Sequence, residues 1–173
     1  MKRPTRRRAV VVISVLVVGF LAASVRLFVL PARDEPSKAD AIVVFGGADD
    51  RLDLGVRLAR DGLAPVLAIS AGGAVGCTAA APPGVEKVCF HPDPETTQGE
   101  ARHLARLAAE RHWDHVIVVV GRAQATRARI RVQRCTEIRV DYVSTTPSVL
   151  LWPYRIAYEW AALVKAELLQ RRC

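Results

Sequence analysis

Apolar and polar positions alternate along this chain in three distinct ways. Residues 9–25, AVVVISVLVVGFLAASV, carry no charge, and after Arg26 the apolar sequence resumes as LFVL before Pro31. Farther on come short continuous apolar runs: AIVVF (41–45), PVLAIS (65–70), HVIVVV (115–120) and the mixed IRVDYV (138–143). Runs of this length suit strands covered on both faces, as in parallel sheets. Between them, apolar residues recur at helical spacing. Residues 51–62 carry Leu54, Leu58 and Ala59 and stop at Gly62, and residues 96–112 carry Ala101, Leu104, Leu107 and Ala108. The segment from 121 to about 134 and the segment 153–171 complete the helical set. Strands alternating with helices predict an α/β domain with a parallel sheet, right-handed crossovers and helices on both faces.

The first apolar stretch is of another kind. A helix needs about 20 residues to cross the hydrocarbon of a bilayer. Residues 9–30 suffice if Arg26 lies near the far interface and extends its head group into water. The chain therefore divides into a basic tail (1–8), a transmembrane helix (9–30), a short polar linker with two prolines (31–40) and one α/β domain (41–173). Five basic residues precede the span, against the mixed ARDEPSKAD after it. That asymmetry predicts a cytoplasmic N-terminus and an extracytoplasmic domain at the plasma membrane. The alternative is a cleaved signal peptide, with LAAS near the cut.

Charge adds little beyond this topology. The net +8 resides mostly in the N-terminal tail, Arg26 and Arg33, because residues 34–173 carry 18 basic and 17 acidic groups. The high pI argues for membrane topology and against nucleic acid as a partner. All four cysteines follow the span, and an even count in an exported domain favours disulfides. Of the three pairings, we favour Cys77–Cys89, closing a long loop, and Cys135–Cys173, tying the C-terminus to the core. The spacing offers no C-x-x-C pair for zinc, the four histidines have no metal-ligand spacing, and no metal is expected. Free thiols are the remaining alternative.

Ligands of open parallel sheets bind beyond the carboxyl ends of the strands. That rule gathers Gly46, Gly47, Asp49, Asp50 and Arg51 after the first strand, Ser70, Gly72 and Gly73 after the second, and Gly121, Arg122, Gln124 and Arg127 after the third. Paired glycines let a chain turn and aim its N–H groups at a ligand, and guanidinium groups match phosphate or carboxylate. Residues 97–100, TQGE, read as a capping box in which Thr97 caps the helix and Glu100 reaches back, although the same helix end would suit an anion. Arg129, Arg131 and Arg134 lie farther along and read as solvated surface. No G-x-S-x-G elbow is present, so Ser70 is a poor hydrolase nucleophile.

The order ADAIVVFGG, Arg51, LAISAGG, TTQGEA, then a strand followed by QATRAR, resembles the YdcF-like (SanA/ElyC-type) family of cell-envelope proteins over roughly residues 39–145. The resemblance implies a three-layer Rossmann-like fold behind a single membrane anchor, and a role in envelope integrity or peptidoglycan-related processes. Carried over by position, it implies a site of Gly46, Gly47, Arg51, Ser70, Gly72, Gly73, Thr97, Glu100 and Arg127. Many relatives read T-S-x-x-H-x-x-R-A after the third strand, whereas this chain has VGRAQATRA, with Gly121 at the serine and Gln124 at the histidine. Glutamine does not shuttle a proton near neutral pH. Glu100 is then the candidate general base. The expected ligand is a phosphorylated or nucleotide-like anion, free or as a lipid-linked precursor, and any reaction would be hydrolysis or transfer on it. The alternative is a non-catalytic module that engages an envelope protein through the long loop 71–95.

Overall fold

The computed structural model describes residues 3–46, 49–71, 77 and 80–173. An apolar helix, α1 (Arg3–Ser24), runs into a π-helical extension, Val25–Val29. The stretch Arg6–Val29 is long and apolar enough to cross a membrane. There follow β1 (Ala41–Val44), α2 (Asp49–Arg60), β2 (Val66–Ser70), β3 (Glu86–Phe90), α3 (Thr97–Arg111), β4 (His115–Gly121), α4 (Ala125–Cys135), β5 (Arg139–Thr145) and α5 (Trp152–Leu168).

The five strands form one parallel sheet in the order β3-β2-β1-β4-β5. Successive side chains of a strand face opposite sides, and the core divides accordingly. Ala41, Val43, Val116, Val118 and Val120 point to the layer of α3 and α4, where Leu104, Ala128 and Val132 meet them. Ile42, Val44, Ile117 and Val119 point to α2 and its Leu58 and Ala59. Gly55 lets α2 lie close on β1, since a Cβ there would come within 2.5 Å of Val44. The result is a three-layer Rossmann-like domain behind one N-terminal apolar helix.

Three features differ from the sequence reading. The loop 71–95 contains an edge strand, β3, whose exposed, charged start (Glu86, Lys87) hid it from an apolar-run criterion. The 31–40 linker is bonded to the domain: Asp34 accepts from the Tyr142 N–H (2.9 Å) and pairs with Arg129 (2.7 Å), while the Ser37 N–H donates to Asp141 (3.1 Å). Thirdly, Arg131 and Arg134 are not solvated surface. Arg131 is buried and donates to the Gln170 carbonyl and to Gln170 Oε1 (2.7 Å). Arg134 reaches the Ala166 carbonyl (2.9 Å) and Glu167 (2.8 Å). Guanidinium groups stabilise the negative end of a helix, and these two hold the C-terminal end of α5. Arg129, half-buried, lies over the Tyr142 ring at 4.3 Å.

The cysteines form two disulfides, Cys77–Cys89 and Cys135–Cys173, the pairing favoured from the sequence. The second fastens the C-terminus to the end of α4.

Candidate functional site

The strand order reverses between β2-β1 and β4-β5, and such a switch point leaves a crevice at the carboxyl ends of the strands. A cavity of about 590 Å³ opens there, walled by the ends of β1 and β2, the start of α3, α4 and one side of α5. Gly46, Arg51, Ser70, Thr97, Glu100, Gln124 and Arg127 all line it. Gly47, Gly72 and Gly73, also expected there, lie outside the described residues.

Glu100 occupies the floor. It does not close a capping box. The N-cap of α3 is Thr96, whose hydroxyl accepts from the Gly99 N–H at 3.4 Å. One residue of register frees Thr97 and turns Glu100 inward, where its carboxylate accepts from the Gly46 N–H. Burial pushes the Glu100 carboxyl up from 4.5 to about 7, although the Gly46 N–H, nearby Ser70, Arg51 and Arg127 all favour its charged form. The buried Ser70 hydroxyl sits beside it without closing a hydrogen bond of ordinary geometry. A carboxyl poised near neutrality can give or take a proton.

Arg51 reaches up from α2, buried, and donates to the Gly46 carbonyl. Burial lowers its pKa, with Glu100 the chief opposing influence. Gly121 makes room for it, because a Cβ there would stand 2.6 Å from Arg51 Nη2. The glycine at the end of β4 therefore keeps Arg51 in place, and a side chain at 121 would displace the guanidinium.

A buried polar chain crosses the other wall. Thr97 Oγ1 accepts from Gln124 Nε2 (2.7 Å) and from Arg127 Nη1 (2.6 Å). Both acceptor positions of that hydroxyl are then used, leaving its O–H free to donate. Gln124 thus acts as a scaffold, holding Thr97 from α3 against the start of α4. Arg127 makes a two-point ion pair with Glu159 of α5, at 2.7 and 2.9 Å. Burial opposes the Arg127 charge, but the hydrogen bond and charge of Glu159 outweigh it and raise its pKa.

The sequence reading missed the contribution of α5 altogether. Tyr154, Arg155, Tyr158, Glu159 and Lys165 line the cavity. Glu159 stands as a single acid within the apolar stretch 156–164 and is only 2% exposed. A lone carboxylate in an apolar helix needs a partner, and that was the available signal. A smaller cavity of about 150 Å³ adjoins the first and shares Arg51, Gln124, Arg155 and Glu159 with it. Arg122 lines this smaller space, its Nε buried without a hydrogen-bond partner among the described residues.

Five cationic side chains (Arg51, Arg127, Arg131, Arg155, Lys165) line the larger cavity against three carboxylates (Glu95, Glu100, Glu159). Among the described residues Arg155 and Lys165 make no ion pair with any acid. The start of α3 adds the positive end of its dipole. Such a site attracts anions. Among the described residues no group of three His, Cys, Asp or Glu side chains comes together to hold a metal ion. Comparison with known proteins finds no match: no family model, curated protein or solved structure matches this chain.

Proposed function

We propose that this protein is a membrane-anchored, YdcF-like domain facing outward from the plasma membrane, which binds a phosphorylated or nucleotide-like anion and serves cell-envelope maintenance. The observation that carries the reading is the excess of cations around one cavity at the switch point of the sheet, at the positive end of α3. The ordered motifs from ADAIVVFGG to QATRAR favour the family, and the apolar helix with two disulfides favours an oxidising compartment beyond a membrane. In this reading Arg51, Arg155 and the Thr97 O–H hold the anion, Arg127 orients Thr97, and Glu100 is the general base of any hydrolysis or transfer.

Calorimetric titration of the full chain in detergent with inorganic pyrophosphate and with uridine diphosphate tests this. Wild type should bind at least one of them, and Arg155→Ala, which disturbs no ion pair, should weaken binding about tenfold, the worth of one charge-assisted hydrogen bond. No binding by wild type, or equal binding by the variant, would overturn the anion site. Protease added to intact spheroplasts should digest the domain, and protection would reverse the orientation.

A further inference from the structure

Among the described residues, every exposed large apolar side chain lies either between 10 and 30, on α1 and its extension, or between 149 and 169, on α5 and the turn before it. Soluble domains scatter such side chains singly, whereas a contiguous group marks a contact surface. On α5 the usual polarity is inverted, with Glu159 buried while Val164 and Leu168 are 50% and 63% exposed. Ala157, Ala161, Val164 and Leu168, three or four residues apart and all exposed, form one apolar stripe along the helix. The preceding turn adds Val149 and Leu150, at 81% and 89% exposed.

What lies beside this stripe identifies its occupant. The Trp160 ring stacks on Phe20 of α1 at 5.2 Å and meets Phe28 edge-on at 5.3 Å. Its indole N–H donates to Ser24 Oγ at 2.9 Å. Phe20 lies six residues before Arg26, about 9 Å toward the middle of the apolar helix. Arg26 is the charge that marks where that helix meets water. The middle of α5 therefore meets the apolar helix on both sides of that charge, Phe20 and Ser24 before Arg26 and Phe28 after it, which brings the apolar stripe to the level of the bilayer interface.

We infer that α5 and the 149–151 turn are seated in the membrane that α1 spans, as an interfacial helix in the leaflet at the C-terminal end of α1. This rests on reading α1 as a membrane span. Trp152, Tyr154 and Trp160 supply the ring types that favour the headgroup layer. The opposite side of α5 presents Arg155 and Glu159 to the anion cavity, and Lys165, beside Ala161 and Leu168, lines it from the edge of the stripe. That cavity accordingly lies within about one helix diameter, 10 Å, of the lipid.

The test is photocrosslinking of the full chain reconstituted in vesicles of phosphatidylethanolamine and phosphatidylglycerol. p-Benzoylphenylalanine replaces, one at a time, Leu150, Leu168, Ile13 as the span control and Glu110 as the water-facing control, and mass spectrometry identifies the adducts. Lipid adducts at 150 and 168, in yields matching that at 13 and with none at 110, are expected. Dimers of the chain at 150 and 168, or no adduct there while Ile13 captures lipid, would overturn the seating and leave the span intact. Failure of Ile13 to capture lipid would remove the span itself and the seating with it.

Discussion

The helices α3 and α5 wall the same cavity on opposite plans. α3 buries Ala101, Leu104, Leu107 and Ala108 against the sheet and exposes Arg102, Arg106, Glu110 and Arg111, as a helix between core and water does. α5 buries Glu159 and exposes Val164 and Leu168. Each also sends one carboxylate inward. Glu159 meets a guanidinium fork, whereas Glu100 has, among the described residues, the Gly46 N–H and charges farther off, and burial then pushes its proton affinity up. The difference teaches that a buried acid is structural when its counter-charge is built in, and available for chemistry when it is not.

Breaking the Glu159 pair should produce the largest effect. Arg127→Ala leaves a carboxylate buried without its partner and should destabilise the fold by about 3–5 kcal/mol, read by chemical denaturation in detergent. Replacing both partners, Arg127→Met with Glu159→Leu, should recover much of that loss, because no charge is then stranded.

Next in size is the pH dependence set by Glu100. Its folded pKa is raised, so between 4.5 and about 7 the folded chain holds a proton that the unfolded chain has released. Stability should therefore fall as pH rises through that window and level off above it, by about 3 kcal/mol in all. Glu100→Gln should flatten this part of the denaturation profile, and an unchanged slope would deny Glu100 its raised pKa.

Neighbouring threonines sharpen the contrast between cap and site. Thr96→Ala removes the cap of α3 and should cost about 1 kcal/mol, with a smaller loss of anion binding than Thr97→Ala. Thr97→Ala strands Gln124 and Arg127 donors, and should cost about 1–3 kcal/mol and weaken pyrophosphate binding as well. The smallest effect belongs to the outward face of α5. Leu168→Ser in detergent should stay within about 0.5 kcal/mol of wild type. A large loss there would mean that Leu168 serves the core.

Much of the fold was legible because burial on both faces writes itself into a strand as an unbroken apolar run. Three of the five strands, β1, β2 and β4, announce themselves in that way. The two edge strands do so less, β5 because Arg139 and Asp141 interrupt its apolar residues and β3 because Glu86 and Lys87 at its start remove the signal. The site was partly legible. The rule that ligands gather at strand ends collected Gly46, Arg51, Ser70 and Arg127, all of which line one cavity. The role of Thr97 was misassigned by one residue, since a capping box and a cap one position earlier look alike in TTQGE.

Local pattern by itself determined the layers and the apolar N-terminal helix, because periodicity and length act between residues near in sequence or on repeating faces. It left the cysteine pairing open, and the structure chose among the alternatives. Only the tertiary structure decided what the charges do. Glu159 finds Arg127 across 32 residues, Gly46 finds Glu100 across 54, and Trp160 finds Ser24 across 136. A charge or an indole N–H accepts any partner of complementary chemistry, and which one lies in reach follows from how the helices pack.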